Sequence, residues 1–393
     1  MPTNRWAVLA LLCFARIGLG FQFQSVPPLA PFLVAELGYS HSQIGLLVGL
    51  FLLPGSVLAL VGGALGARFG DKAGVLAGLA LMVAGGALFA ESRSFAPALV
   101  GRMLSGGGVV LLTALLTKVA AEWFAGKEIA TAMSLLLATW PLGIASAFAM
   151  LGHIAAASSW QGAVWVTVAL PLAAFAAMAL LYPPLPGAAA APVPAIVAGV
   201  LAVSGRELAL VLVLGLAWVA ANASYVLQLT ALPALLIERG SSPASVATLV
   251  SISPWVGVAV VPLAGVFVDR LGRKTALVVF SSLAGAACMA MQLTGQWVAL
   301  WLVAASVLGS PGISALISLL PEALRPDNRG VGFGIFFTQY YLGIALLTPI
   351  GGLLQDLTGG AAASLVFGAA LMALAAPILL LFRALQRRLP LAA

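Results

Sequence analysis

The feature that most limits this chain is a series of twelve apolar runs, separated by short connections bearing charge, glycine or proline. They lie at roughly 6–34, 42–66, 74–91, 95–121, 128–153, 160–182, 208–235, 243–267, 275–293, 296–320, 330–353 and 361–383. A hydrocarbon core of about 30 Å takes about 20 apolar residues as a helix. Inside lipid each backbone polar group must be satisfied within its own segment, so such runs can only be helices. Charged residues make up 7% of the chain, against roughly 25% in soluble domains. That excludes a soluble enzyme, a disordered regulator and a nucleic-acid binder. The first run follows Met1–Arg5 without an A-x-A-like cleavage site and reads as a span, not a removed leader. Cys13 and Cys288 lie inside apolar runs, far in sequence from His41 and His153. Neither a disulfide framework, nor a metal site, nor a cofactor is expected.

Lysine and arginine orient the chain. With the N-terminus in the cytoplasm, fourteen basic residues of the connections and ends fall on that side: Arg5, Arg68, Lys72, Lys118, Lys127, Arg206, Arg270, Arg273, Lys274, Arg325, Arg329, Arg383, Arg387 and Arg388. Only Arg93 and Arg239 fall on the other. The positive-inside rule then places both termini in the cytoplasm, and a bacterial inner membrane is the expected location. The net charge of +7 is thereby a topology signal.

The chain also repeats itself. At an offset of 202, Ala30-Pro31 through Glu36 and Gly38 match Leu232-Pro233 through Glu238 and Gly240, and Arg68-Phe-Gly-Asp71-Lys72 falls on Arg270-Leu-Gly-Arg273-Lys274. At an offset of 200, Trp140-Pro-Leu-Gly-Ile-Ala falls on Tyr340-Tyr341-Leu-Gly-Ile-Ala and Glu122 on Glu322. Six spans per copy make a parallel repeat. The expected fold is an all-α membrane protein of twelve transmembrane helices in two pseudo-symmetric six-helix bundles. Residues 1–182 and 207–393 form the bundles, joined by a proline- and alanine-rich cytoplasmic linker at 183–206.

Gly265-x-x-x-Asp269-Arg270-x-Gly272-Arg273-Lys274 resembles the cytoplasmic loop between helices 2 and 3, or 8 and 9, of major facilitator superfamily transporters. The resemblance implies a conformational switch at these residues, in which Gly265 permits close helix contact and Asp269 pairs in one conformer only. The first copy departs from it: Ala67 stands where the acid belongs, with Arg68 following and Asp71 one turn on as a partial substitute. Arg102-x-x-x-Gly106-x-Gly108 looks like the superfamily's helix 4 motif. Leu116-Thr-Lys118-x-x-x-Glu122-Trp-Phe-x-Gly126-Lys127-Glu128 with Trp140-Pro-Leu-Gly, and Gly20-Phe-Gln-Phe-Gln24-Ser25, resemble the bacterial cyanate-permease-like branch.

Ionisable groups at membrane depth are costly and usually functional. Arg16 lies near the midplane of span 1, about 15 Å deep, and Arg102 about 10 Å into span 4. In this fold spans 1, 4, 7 and 10 line a central cavity, so both guanidiniums are candidates to fork onto an anionic cargo. Arg102 could instead bond backbone carbonyls. Trp218, Asn222 and Tyr225 share one face of span 7 at i, i+4 and i+7. With Gln24, Trp140, Gln339, Tyr340 and Tyr341 they form a candidate aromatic and hydrogen-bonding wall. None of the eleven acids falls near mid-membrane; Glu36 and Glu91, near outer span ends, are the acids that could carry a coupling proton.

These readings converge on a monomeric alternating-access transporter of a small anion, an organic carboxylate or a cyanate-like ion, whose other partners are membrane lipids. A proton-coupled multidrug exporter is the rival within the class. A non-transporting membrane sensor or a lipid flippase is the rival outside it. An intramembrane enzyme is not expected, since no nucleophile–base cluster lies within the spans.

Overall fold

The computed structural model describes residues 4–58, 70–125, 128–183 and 203–388. Arg68 and most of the 183–206 linker lie outside them. Among the described residues twelve helical segments are long and apolar enough to cross a membrane. Spans 1 to 6 are Arg5–Leu37, His41–Leu58, Asp71–Glu91, Phe95–Trp123, Thr131–Ala157 and Trp160–Leu181. Spans 7 to 12 are Gly205–Glu238, Pro243–Leu271, Lys274–Gln292, Val298–Ala323, Pro326–Thr358 and Ala362–Arg388. An even number of crossings returns both chain ends to one face, here termed the terminal face; the opposite one is the far face.

Helix pairing repeats with a shift of six. Span 1 packs on spans 5 and 6, and span 3 on spans 4 and 6; span 7 packs on 11 and 12, and span 9 on 10 and 12. The halves meet along spans 2 and 11 and along spans 5 and 8, two contacts that an approximate twofold axis would exchange. Glycine sets how closely the first pair approaches. A Cβ at Gly45 would lie 2.9 Å from the Pro349 Cα and the Thr348 carbonyl, and one at Gly352 would strike the His41 carbonyl.

This seam is tied at the far face. Span 2 begins with a capping box formed by Ser40 and Gln43. The Asp356 carboxylate, arriving from span 11, accepts from the His41 and Ser42 backbone N–H groups at 2.9 and 2.8 Å and from the Ser42 hydroxyl at 2.5 Å. A helix start offers unpaired N–H groups and a partial positive charge, so a carboxylate from the other half is held there favourably. Deeper in the seam the Thr338 hydroxyl donates to the Ser56 carbonyl of the other half at 3.2 Å, while at the terminal face the ion pairs among the described residues stay within each half. Arg5–Glu128 (2.6 Å), Lys118–Asp71 (2.8 Å) and Lys118–Glu122 (3.5 Å) brace the first half. Glu322 holds both Lys274 (2.9 Å) and Arg383 (3.0 Å) in the second. Among the described residues no ion pair joins the halves at that face.

Candidate functional site

The halves differ most in their first spans. Span 1 is two helices, Arg5–Phe23 and Val26–Leu37, meeting at Gln24-Ser25. Pro27 and Pro28 lack N–H groups, so the carbonyls one turn earlier lose their helical donors. Span 7 has Leu229 and Thr230 at those positions and runs unbroken from Gly205 to Glu238.

Arg102 repairs the break. Its Nη1 donates to the Gln22 carbonyl at 2.7 Å and to Ser25 Oγ at 3.2 Å, its Nη2 to the Phe23 carbonyl at 2.8 Å, and its Nε to the Leu47 carbonyl at 3.0 Å. The guanidinium also lies over the Phe51 ring, 4.0 Å from its centroid. Four of the five N–H donors of an arginine are thereby engaged, and Arg102 is 1% exposed. The expectation that it reaches toward cargo gives way to the backbone role. Unbroken span 7 needs no such donor, and Leu302 stands at the matching position. Arg102→Met is expected to cost about 1–3 kcal/mol, the scale for leaving a buried carbonyl without its donor. Thermal unfolding of the purified protein checks it; an unchanged midpoint would mean the break holds without its donor.

Arg16 stands in the opposite condition. It is 5% exposed and about 17 Å along the helix from Arg5. Among the described residues its one hydrogen bond is a long 3.4 Å contact from Nη1 to Thr117 Oγ1, and its buried Nε has no partner. Thr117 in turn donates to the Thr113 carbonyl at 2.7 Å. Among the described residues its titratable neighbours are Cys13 and Tyr341, both uncharged at neutral pH, and no carboxylate stands beside it. Span 4 thus supplies a polar pair, Thr113 and Thr117, that sequence reasoning passed over, although two threonines at i and i+4 in an apolar run were a visible signal.

Tyr341 brings the second half to Arg16. Its ring lies against Gly55 of span 2, where a Cβ would be 2.7 Å from it, and beside it runs a continuous aromatic surface. Tyr340 and Tyr341 are 5.2 Å apart by ring centroids, Phe337 is 6.4 Å from each, and Trp218 is 5.5 Å from Phe336 and 6.4 Å from Tyr340. Phe336 and Phe337 join a wall in which the sequence had pointed only to Trp218, Tyr340 and Tyr341. Trp140 packs on Phe23 from the first half, 5.5 Å between centroids.

The remaining polar candidates are not gathered around Arg16. Gln339 turns to span 7 and donates to the Leu212 carbonyl at 2.9 Å. The Asn222 amide bonds back to the Trp218 carbonyl at 2.9 Å, and Tyr225 pairs with Ser253 of span 8. Gln24 is wholly buried in the span 1 break with both amide atoms unpartnered.

Among the switch residues, Gly272 caps span 8 in the left-handed region at φ +64°. Lys274 is held by Glu322, and Asp71 by Lys118. Asp269, Arg270 and Arg273 are exposed, and among the described residues Asp269 has no ion pair. Among the described residues nothing lies within 4 Å of a Cβ built at Gly265, so none of them makes the close helix contact expected of it. The far-face tie through Asp356 is engaged, while among the described residues Asp269 of the terminal-face loop has no ion pair.

Two six-helix copies, a broken first span and a seam tied at one face define a polytopic membrane protein of the two-bundle transporter class. Residues 12–236 and 213–392 match the model of the Major Facilitator Superfamily, and the chain belongs to that family of transporters. Over 132 residues it is 28% identical to the hexuronate transporter of Bacillus subtilis, covering 34% of this chain and 31% of that one. Over 128 residues it is 33% identical to the multidrug resistance protein Stp of Mycobacterium tuberculosis, covering 32% and 24%. The matched regions thus span about a quarter to a third of these relatives. Solved structures share the fold: a D-xylose–proton symporter (TM-score 0.77, 16% identity, 97% of this chain and 98% of that) and the inward-open xylose transporter XylE from E. coli (0.78, 14%, 96% of each).

Proposed function

We propose that this transporter moves an organic anion by alternating access, with Arg16 as the group that meets its charge. One observation carries the reading: a cation at mid-span depth with, among the described residues, a single long hydrogen bond and no carboxylate beside it. An unpaired buried charge is unfavourable by several kcal/mol, and an anion that enters from solvent supplies the missing partner. The neighbouring aromatic surface favours a cargo with an apolar body, so a carboxylate suits the site better than a bare cyanate-like ion. The motifs of spans 1, 4 and 5 resemble the cyanate-permease-like branch, and the hexuronate relative handles a carboxylate. Arg102, spent on the span 1 break, is not part of the anion contact.

The excess of basic residues at the terminal face supports placing it in the cytoplasm of a bacterium. The Asp356 tie then closes the seam on the outer side in the conformer described. Residues 1–182 and 207–393 act as the two moving bundles about a 183–206 linker, and a single copy contains the whole site.

Arginine does not release its proton in the usable pH range, so the site cannot exchange cargo for a proton. Exchange or uniport of anions follows. A thermal-shift screen across benzoate, glucuronate and cyanate selects the cargo, since a ligand of the folded state raises apparent stability. Liposomes loaded with that anion are then expected to show counterflow of labelled anion without a pH gradient. Transport that stalls without a pH gradient, with Glu36→Gln or Glu91→Gln removing that dependence, would overturn the uncoupled reading; stabilisation by lipophilic cations and by none of the three anions would favour the multidrug-exporter reading that the Stp similarity supports.

A further inference from the structure

The far-face seam encloses a cavity of about 260 Å³ between spans 1 and 2 of one half and spans 7 and 11 of the other. Its walls are mainly apolar: Pro31, Val34 and Ile44 on the first side, Leu227, Pro233 and Ala234 on the second. Two features make it more than a packing gap. The Thr348 hydroxyl, on a residue 1% exposed, has no hydrogen-bond partner among the described residues and belongs to the lining. Glu238 stands on the lining at the far-face end and is its sole charged residue.

The Glu238 carboxylate is oriented but not saturated. Its two oxygens accept from the Ala361 N–H at 2.9 and 3.1 Å, and Oε1 accepts weakly from Gln355 Nε2 at 3.4 Å. Among the described residues no cation pairs with it. Arg239, next in the chain, turns away to the Leu293 carbonyl. His41 is the other titratable side chain on the lining, and Asp356 at the seam is committed to the start of span 2.

We propose that this cavity is a second binding site, for a lipophilic ammonium ion whose apolar body fills the space and whose N–H groups donate to Glu238. The site is opposite in charge to Arg16, so it does not take the anionic cargo. Because each half contributes one wall, the cavity exists only while spans 1 and 2 stand against spans 7 and 11. A ligand that binds one conformer alone shifts the population toward it. An occupant therefore acts as a wedge that keeps the far face shut and stops the cycle without competing at Arg16.

The test uses purified full-length protein and 1-naphthylmethylammonium, with the neutral 1-naphthylmethanol as control. The amine is expected to raise the unfolding midpoint saturably and the alcohol to bind at least tenfold more weakly. Glu238→Gln, which keeps an acceptor for Ala361, is expected to weaken the amine at least tenfold. Ala234→Trp fills the cavity without changing any charge and is expected to abolish binding. Spin labels at Glu36→Cys and Leu357→Cys, with Cys13 and Cys288 replaced by alanine, report the separation of the halves at the far face. The amine is expected to concentrate that distance distribution at its short end. Equal binding of amine and alcohol, undiminished binding in both variants, or an unmoved distribution would each overturn the assignment.

Discussion

Replacing Arg16 with glutamine is expected to lower affinity for the anionic cargo by about two orders of magnitude, while the empty protein unfolds at the same temperature or higher. The asymmetry follows from its surroundings. In the empty protein the guanidinium holds one long bond to Thr117 and an unpartnered Nε, so removing the charge forfeits almost nothing. With cargo bound, the same group supplies a charge-assisted fork; truncating one member of a buried pair is worth about 3–5 kcal/mol, or roughly 10²- to 5 × 10³-fold, of which the solvent-accessible cargo is expected to realise the lower end. Arg16→Lys keeps the charge and loses the planar fork, so only partial recovery is expected. Anion binding by calorimetry beside thermal unfolding separates the two effects. Unchanged affinity in Arg16→Gln would remove the anion site from this position.

Asp356→Asn is expected to release the far face. The carboxylate bridges the halves through three hydrogen bonds at the start of span 2. Asparagine retains one acceptor oxygen and no charge. Allowing for its exposure to solvent, the loss is about 1–2 kcal/mol, a shift in the conformer ratio of roughly 5- to 30-fold. Asp269→Asn is expected to act with the opposite sign. Among the described residues Asp269 has no ion pair in this conformer; on that geometry neutralising it weakens the alternative conformer and leaves the far face more firmly closed. A cysteine at Thr230, on the wall of the far-face cavity, reports both changes. Its labelling by a membrane-impermeant reagent should quicken with Asp356→Asn and slow with Asp269→Asn. Equal labelling in all three proteins would mean that neither acid senses the access state. Gly352→Val, which forces atoms into the His41 carbonyl, offers a steric route to the same release.

Much of the architecture was written in composition and spacing. Twelve apolar runs mark the spans because lipid leaves the backbone no other option, and the offsets of 202 and 200 announce two copies. The site was legible only where chemistry is local. Arg16 stands out in any reading, being a charge in the middle of an apolar run. Arg102 looked similar by the same rule, yet its guanidinium is consumed by carbonyls of span 1. Pro27 held the clue, since it leaves the Phe23 carbonyl without a helical donor and some other donor must reach it. Asp356 had no local mark at all. It reads as an ordinary acid near a span end, and its role arises from a contact with residues more than 300 positions away.

The repaired break in span 1 bears on how the protein is made. Translation delivers span 1 to the membrane three helices before Arg102 exists. During that interval the Gln22 and Phe23 carbonyls lack their eventual donor. Arg102, arriving alone, is itself a poor guest for lipid, at about 2.5–3.5 kcal/mol on insertion scales. Each defect is the remedy for the other. Spans 1 to 4 therefore form the smallest piece of the nascent chain that can settle in the bilayer without an open polar group at this point, and chains released before span 4 would be early substrates for membrane quality control.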